Sequence, residues 1–148
     1  MIVGAGTVLT IDQLHLAKDA GAAYYVSPNL NMNVIAEAKR LGLGALPGVL
    51  TPSEAVAAYE AGADAVKLFP AGSMGAGYLK AIRAPLSHIP IVVVGGIDAG
   101  NVAEFIKAGA IGAGVGGHLA KKELIISGQF DVIEREAKKL VEAANKVE

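Results

Sequence analysis

The sequence predicts an α/β fold made of parallel strands, each followed by a helix. Short glycine-containing segments recur along the 148-residue chain, and each ends an amphipathic stretch and precedes an apolar run. A Gly just past a helix is typical of a left-handed C-terminal cap, and this alternation indicates serial βα units. Several apolar runs are continuous, notably Ile91–Val94, as in parallel strands covered on both faces. The recurring glycines are Gly21, Gly42, Gly62 and Gly109.

The elements in order predict six βα units in a single domain over residues 1–148. Thr10 and the Thr-Pro-Ser-Glu segment at 51–54 carry the cap signals of the first and third helices. The pattern fits either part of an eight-stranded (βα)8 TIM barrel or an open doubly wound sheet, and does not separate them. The predicted strands are 2–9, 24–27, 45–50, 65–69, 91–95 and 111–115, and the predicted helices are 11–20, 32–41, 52–61, 75–84, 101–108 and 130–146.

Composition argues against several classes of function. The net charge is −1, which gives no electrostatic reason to expect nucleic acid or an anionic membrane as partner. Cysteine is absent and no His, Asp and Glu residues have metal-ligand spacing, so we expect no metal site. No apolar run reaches the roughly 18 residues of a membrane helix, and the first residues do not resemble a signal peptide. A cytoplasmic protein without a membrane partner is expected.

Lys67 is the strongest candidate for a catalytic residue. It lies within the predicted strand 65–69, which should be buried on both faces. Desolvation penalises a charged amine and lowers its pKa, and a neutral amine is what attack on a carbonyl requires. The alternative is a lysine near a strand end that reaches solvent along its aliphatic stem.

Two glycine pairs after consecutive strands are candidates for a phosphate site. Paired glycines expose backbone N–H groups, and phosphate-binding barrels use the loops after their last two strands. Tight turns are the alternative. The pairs are Gly95 with Gly96 and Gly116 with Gly117, and His118 follows as a possible phosphate donor or a surface residue.

Two further residues lie where predicted strands end. Thr7 follows a glycine-rich strand and could donate to a carboxylate, or it is a polar residue at the mouth of the sheet. Phe69 could exclude water from Lys67 or serve in ordinary packing. His15 and His88 are expected to be solvated and outside any site.

Together these motifs resemble the KDPG/KHG aldolase family over the whole chain. The resemblance implies a trimeric (βα)8 barrel that cleaves a 2-keto-3-deoxy-6-phospho sugar acid to pyruvate and glyceraldehyde 3-phosphate. It therefore implies a cofactor-free class I lyase, and it favours the barrel over the open sheet. The matching segments are 4–9, 27–29, 47–49, 51–54, 67–71 and 95–97.

The resemblance also implies roles for individual residues. Lys67 corresponds to the lysine that forms the Schiff base. Thr7 corresponds to a threonine that holds the pyruvyl carboxylate, and Pro28 and Phe69 correspond to residues that line the pyruvyl group. The family's phosphate site falls on Gly95, Gly96, Gly116 and Gly117.

The sequence departs from the family pattern at two points. The family has two further βα units ahead of those recognised here, and the second bears a Glu-x-x-x-Arg motif whose glutamate is the general acid/base. We therefore expect six of the eight units in this chain. We also expect poor turnover by this chain alone, because Glu54 and Glu60 lie on a helix and cannot replace that glutamate. Val94 replaces the threonine usual in gluconate-type members, which leaves the gluco or galacto epimer open.

Two other classes of function remain open. One is a catalytically impaired module that binds phosphate, since the base is outside the recognised units. The other is a phosphate-binding isomerase or synthase. Lys67 distinguishes them from an aldolase, because a simple phosphate binder has no use for it.

Overall fold

Parallel strands alternate with helices through most of the chain in the computed structural model, which describes residues 1–146. The strands are β1 (Gly4–Gly6), β2 (Tyr24–Val26), β3 (Gly44–Leu46), β4 (Gly48–Val49), β5 (Val66–Leu68), β6 (Ile91–Val94) and β7 (Gly112–Gly114). The helices are α1 (Ile11–Asp19), α2 (Met32–Arg40), α3 (Pro52–Glu60), α4 (Ala71–Met74), α5 (Ala76–Arg83), α6 (Val102–Lys107), α7 (Lys122–Ile126) and α8 (Phe130–Asn145).

The strands form two parallel sheets, ordered β1-β2-β3 and β4-β5-β6-β7. Strands occur at all six predicted positions, but the third is split at Pro47, which has no N–H to donate to a ladder. Hydrogen bonds still connect the sheets across the split. The Asp64 N–H donates to the Ala45 carbonyl at 3.1 Å, and the Lys67 N–H donates to the Pro47 carbonyl at 2.8 Å. The described residues do not form a closed barrel, so the predicted (βα)8 closure is not confirmed.

The local signals for helix ends are confirmed. The Thr10 hydroxyl accepts a hydrogen bond from the Gln13 N–H, and Thr51 and Glu54 form a reciprocal capping box. All four recurring glycines have positive φ, between 69° and 101°. Two helices were not predicted, α4 and α7, because they are short and their N-caps make no side-chain bond. No helix among residues 1–146 is both long and apolar enough to cross a membrane.

Burial alternates along the central strands. Val66 and Leu68 are at most 1% exposed, and Ile91 and Val93 likewise face the helices. Lys67 between them points to the other face, where side chains are only half-buried. The prediction that strand 65–69 is buried on both faces is therefore wrong for the described residues. The sheets have one closed face against the helices and one open, inner face.

Glycine is required at position 48 because the backbone of the segment that follows β2 packs directly against it. A Cβ atom at this position would overlap the backbone of Pro28 and lie 2.7 Å from the Asn29 nitrogen. The same contact is held by a hydrogen bond from the Gly48 N–H to the Asn29 carbonyl, at 3.2 Å. The loop that carries Pro28 thus depends on glycine at position 48.

We predict that Gly48→Ala lowers the free energy of unfolding by about 1 to 3 kcal/mol, as overpacking does. Gly77→Ala is the matched control, because a Cβ there meets nothing within 4 Å and the residue lies in a helix. It should raise stability by up to about 1 kcal/mol. Urea denaturation of both variants measures the difference, and equal stabilities would contradict the assigned contact.

Candidate active site

The predicted site residues gather at one edge of the sheets. Parallel strands bring their carboxyl ends together, and that edge is where α/β proteins bind ligands. Lys67 and Phe69 lie in and after β5, Val94 ends β6, and Thr7 and Pro28 follow β1 and β2. The glycine segments at 95–96 and 116–117 continue from β6 and β7, with His118 after them.

Lys67 presents an amine without an ionic partner on the inner face. Within residues 1–146 its Nζ makes no salt bridge and no hydrogen bond to another side chain. The centroid of the Phe69 ring lies 4.5 Å from Nζ. Burial lowers the pKa of Lys67 below its ordinary value of 10.5. An amine with a lowered pKa and no neighbouring acid is suited to attack a carbonyl.

Phe69 connects the lysine to the glycine loop after β6. A Cβ atom at Gly95 would lie 2.9 Å from Cε2 of the Phe69 ring, so the ring rests on the Gly95 backbone. Gly95 has φ of 89°, a conformation that side chains other than glycine rarely adopt. The Phe69–Pro70 peptide is cis. The ring is thus held between the amine and the backbone of the neighbouring strand end.

A buried hydroxyl holds the turn that bears Pro28. Ser27 is 3% exposed, and its Oγ donates to the Asn29 carbonyl at 2.7 Å. The Gly48 N–H donates to the same carbonyl, and Gly48 is the register partner of Lys67. Pro28 therefore lies against the residue that pairs with the lysine. Ser27 appeared in the sequence only as part of a motif, and its burial could not be read there.

Thr7 is the one non-glycine residue with positive φ among residues 1–146, at 60°. Its side chain is exposed, and the next residue returns to the sheet through a bond from the Val8 N–H to the Val26 carbonyl. Left-handed backbone at a non-glycine residue is costly and is concentrated at functional sites. This outlier also ends the strand early, which is why the predicted strand 2–9 ends at Gly6.

The side chain of Val94, the last residue of β6, packs against the neighbouring strand β7. A Cβ atom at Gly114 would lie 2.9 Å from Val94 Cγ2, so the glycine makes room for the valine side chain. Val94 lies on the same face of the sheet as Lys67, because Val92 is the register partner of Lys67 and side chains alternate. An apolar side chain therefore occupies the inner face next to the glycine loop.

Asn101 was missed by sequence reasoning and holds the loop after β6. Its Nδ2 donates to the Gly96 carbonyl at 2.8 Å, and its Oδ1 accepts from the Asp98 N–H at 3.0 Å. From the other side, the Gly72 N–H donates to the Gly95 carbonyl at 2.7 Å. The available signal was an Asn at the start of the predicted helix 101–108, and it reads there as a helix cap.

The second glycine pair differs from the first. Neither Gly116 nor Gly117 has positive φ, and the Gly116 carbonyl accepts from the N–H groups of Leu119 and Ala120 in a turn. His118 is exposed and lines a cleft with Asp98 and Glu136, next to α8. The two carboxylates near His118 would repel a phosphate. The proposed role of His118 in phosphate binding therefore stays a prediction that this geometry does not support.

Three other sequence interpretations can be compared with the structure. The His15 side chain is 45% exposed, in line with the prediction that it is solvated, and its Nε2 also lies 2.7 Å from Glu37 Oε1, which pairs with Arg40. His88 is exposed, with the Tyr59 ring edge-on to it. Residues 1–146 contain no group of three His, Asp or Glu side chains that could hold a metal, and the absence of a metal stays a prediction.

Glu54 is fully engaged as a helix cap. Its Oε2 accepts from the N–H groups of Leu50 and Thr51 and from the Thr51 hydroxyl, all within 2.9 Å. The two backbone N–H groups are the main cause of its lowered pKa. An anchored carboxylate with a lowered pKa is a poor proton carrier, consistent with the expectation that Glu54 cannot act as the base.

Comparison with known proteins fits this geometry. Residues 1–136 match the family model for KDPG and KHG aldolase. The chain belongs to the KDPG and KHG aldolase family. A 2-dehydro-3-deoxy-6-phosphogalactonate aldolase of Escherichia coli strain K12 is 42% identical over 119 residues, which are 80% of this chain and 58% of that protein. The chain therefore spans under two thirds of the length of this relative.

Two solved structures have the same fold. One, described as a native KDPGal structure, superposes with a TM-score of 0.87 at 37% identity, covering 99% of this chain and 69% of that one. The other is KDPG aldolase from Legionella pneumophila with pyruvate captured as a covalent carbinolamine intermediate. It has a TM-score of 0.82 at 26% identity and covers 95% of this chain and 68% of that one. The relatives are aldolases, and aldolases are lyases.

The lowered pKa of Lys67 makes stability depend on pH in a defined direction. A lysine whose folded pKa is below its unfolded value destabilises the fold at pH values below the folded pKa. This penalty is relieved as pH rises from the folded pKa towards 10.5, the ordinary value. We predict that Lys67→Met is more stable than the parent chain at pH 7 and that the difference narrows between pH 7 and 10.5.

Denaturation midpoints at several pH values measure this effect. Lys80→Met is the control, because Lys80 is exposed on α5. A difference between Lys67→Met and the parent that is constant with pH would contradict the desolvation of this amine.

Proposed function

We propose that this chain is the lysine-bearing part of a class I aldolase that acts on 2-keto-3-deoxy-6-phospho sugar acids. The observation that carries the proposal is the Lys67 amine, partly buried and without an ionic partner among residues 1–146, on the inner face at the carboxyl edge of the sheet. The covalent pyruvate adduct of the Legionella relative supports the same chemistry.

The proposed reaction begins with attack of the Lys67 Nζ on the C2 carbonyl of the substrate. The resulting carbinolamine loses water to give an imine, which is protonated. The C3–C4 bond then breaks as the C4 hydroxyl loses its proton. The bonding electrons move to the imine nitrogen, and the aldehyde glyceraldehyde 3-phosphate leaves. Protonation of the enamine at C3 and hydrolysis release pyruvate and restore the amine.

The neighbouring residues take positions around this carbon chain. Phe69 and Pro28 are proposed to line the pyruvyl group, where the ring excludes water and so favours the neutral amine. Thr7 is proposed to donate its hydroxyl to the carboxylate. The glycine segments 95–96 and 116–117 are proposed to bind the phosphate through backbone N–H groups.

Proton transfer at the C4 hydroxyl and at C3 requires a base that these residues do not supply. Glu54 is engaged as a cap, and Glu60 is exposed at the end of α3. We propose that the whole enzyme is a (βα)8 barrel, homotrimeric and cytoplasmic, with the acid/base outside residues 1–146. General acid–base help is worth about 10²- to 10⁴-fold in rate, so imine formation by this chain alone should exceed its turnover.

The substrate class follows from the relatives and from Val94. The relatives act, by their names, on phosphogalactonate and phosphogluconate acids. Val94 offers no hydroxyl to the substrate C4 oxygen. A site without a polar partner cannot reject the wrong epimer strongly. We therefore propose the galacto epimer, or loose discrimination between the two.

Borohydride trapping tests the Schiff base. With pyruvate and borohydride, the chain should gain the mass of pyruvic acid less one oxygen atom, at Lys67. Lys67→Ala should abolish this adduct, and so should Lys67→Arg, because a guanidinium stays protonated. Lys80→Ala, at an exposed lysine, should leave the yield unchanged. Unchanged trapping in Lys67→Ala would falsify the assignment.

The two epimers can be compared without turnover. Both 2-keto-3-deoxy-6-phospho acids should form reducible adducts with Lys67, and we predict equal yields or a higher yield from the galactonate. Val94→Thr should raise the gluconate adduct relative to the galactonate, because it supplies a hydroxyl. Mass spectrometry after competition between the epimers, one of them labelled with ¹³C so that the two adducts differ in mass, gives the ratio. A strong gluconate preference in the parent chain would contradict the role given to Val94.

A further inference from the structure

Asn101 bridges the two ends of the loop formed by residues 96–98. Its Nδ2 donates to the Gly96 carbonyl, and its Oδ1 accepts from the Asp98 N–H, at 2.8 and 3.0 Å. The opposite chemistry of the two partners fixes the orientation of the side-chain amide. Although Asn101 precedes α6, its side chain makes no cap bond to that helix. Its side chain therefore serves the loop and not the helix.

A second donor holds the preceding peptide group. The Gly72 N–H donates to the Gly95 carbonyl at 2.7 Å. The two backbones are close, since a Cβ atom at Gly72 would lie 2.6 Å from the Gly96 carbonyl oxygen. The carbonyl groups of Gly95 and Gly96 thus each have a fixed protein donor, one from α4 and one from Asn101.

Fixing these carbonyl groups also fixes two N–H groups. In a trans peptide the carbonyl of one residue and the N–H of the next lie in one plane and point in opposite directions. The N–H groups concerned belong to Gly96 and Ile97, and neither donates to an acceptor within residues 1–146. The Asp98 N–H, in contrast, is already donated to Asn101.

We infer that Asn101 is a positioning residue for the phosphate group of the substrate. It orients the loop so that the N–H groups of Gly96 and Ile97 remain free to bind an anion. The N–H of Asp98 is not available to the anion, because it already donates to the Asn101 side chain. This rests on the proposed function, which puts a phosphorylated acid at this loop. Oriented successive N–H groups are effective anion sites because no further reorganisation is needed on binding.

Amide NMR of the whole chain, titrated with inorganic phosphate, tests the inference. In the parent chain the Gly96 and Ile97 signals should shift and saturate, and the Asp98 signal should shift least of the three. Asn101→Ala removes both bonds, and Asn101→Asp keeps only the acceptor. Loss of a loop-orienting hydrogen bond should weaken phosphate binding about threefold to tenfold.

The control is Asn33→Asp, which makes the same change of charge at an exposed position on α2. It should bind phosphate as the parent chain does. Pyruvate trapping at Lys67 should be unchanged in all of these variants, which shows that each is folded and that the lysine is intact.

Each other result identifies what has failed. Phosphate binding by Asn101→Ala that equals the parent would overturn the inference and leave the glycine loop as the phosphate site. Parent signals of Gly96 and Ile97 that ignore phosphate, or an Asp98 signal that shifts most, would overturn it without any variant. Failure of the parent chain to trap pyruvate at Lys67 would instead reject the proposed aldolase chemistry.

Discussion

The contact of the Phe69 ring with the Gly95 backbone is the interaction on which the candidate site depends. The same ring lies 4.5 Å from the Lys67 amine, so one aromatic side chain contacts both the nitrogen proposed to form the Schiff base and the loop proposed to bind phosphate. The packing works only because Gly95 lacks a Cβ atom and has a left-handed backbone. The two halves of the proposed substrate site are therefore set by one packing contact rather than by separate loops.

The sequence predicted the order of the elements well, and the physical reason is local. Helix caps such as Thr10 and Thr51 act within one turn, and glycine at a helix end needs only its own φ. Parallel strands then bring their ends together whatever the detailed packing. Lys67 could be singled out because burying a cation in an apolar strand carries a desolvation cost, so a lysine there is unusual.

What could not be predicted depends on residues far apart in the chain. The Asn101 contacts join a side chain to two backbone groups whose positions depend on the loop, and Gly72 reaches Gly95 from another unit. The pairing of His15 with Glu37 needs α1 and α2 to lie side by side. The split at Pro47 was hidden because the apolar pattern of 45–50 runs through the proline.

The outermost strands of the two sheets, β1 and β7, share one sequence, Gly-Ala-Gly. An edge strand offers unpaired backbone groups, but side chains are what normally decide which strand pairs with it and in which register. These edges have almost none. Their hydrogen-bonding capacity is therefore generic, and any selectivity for the strand that adds there must come from its flanking helices or loops. A bulky residue engineered into either edge strand would let that strand itself determine which strand pairs with it and in which register.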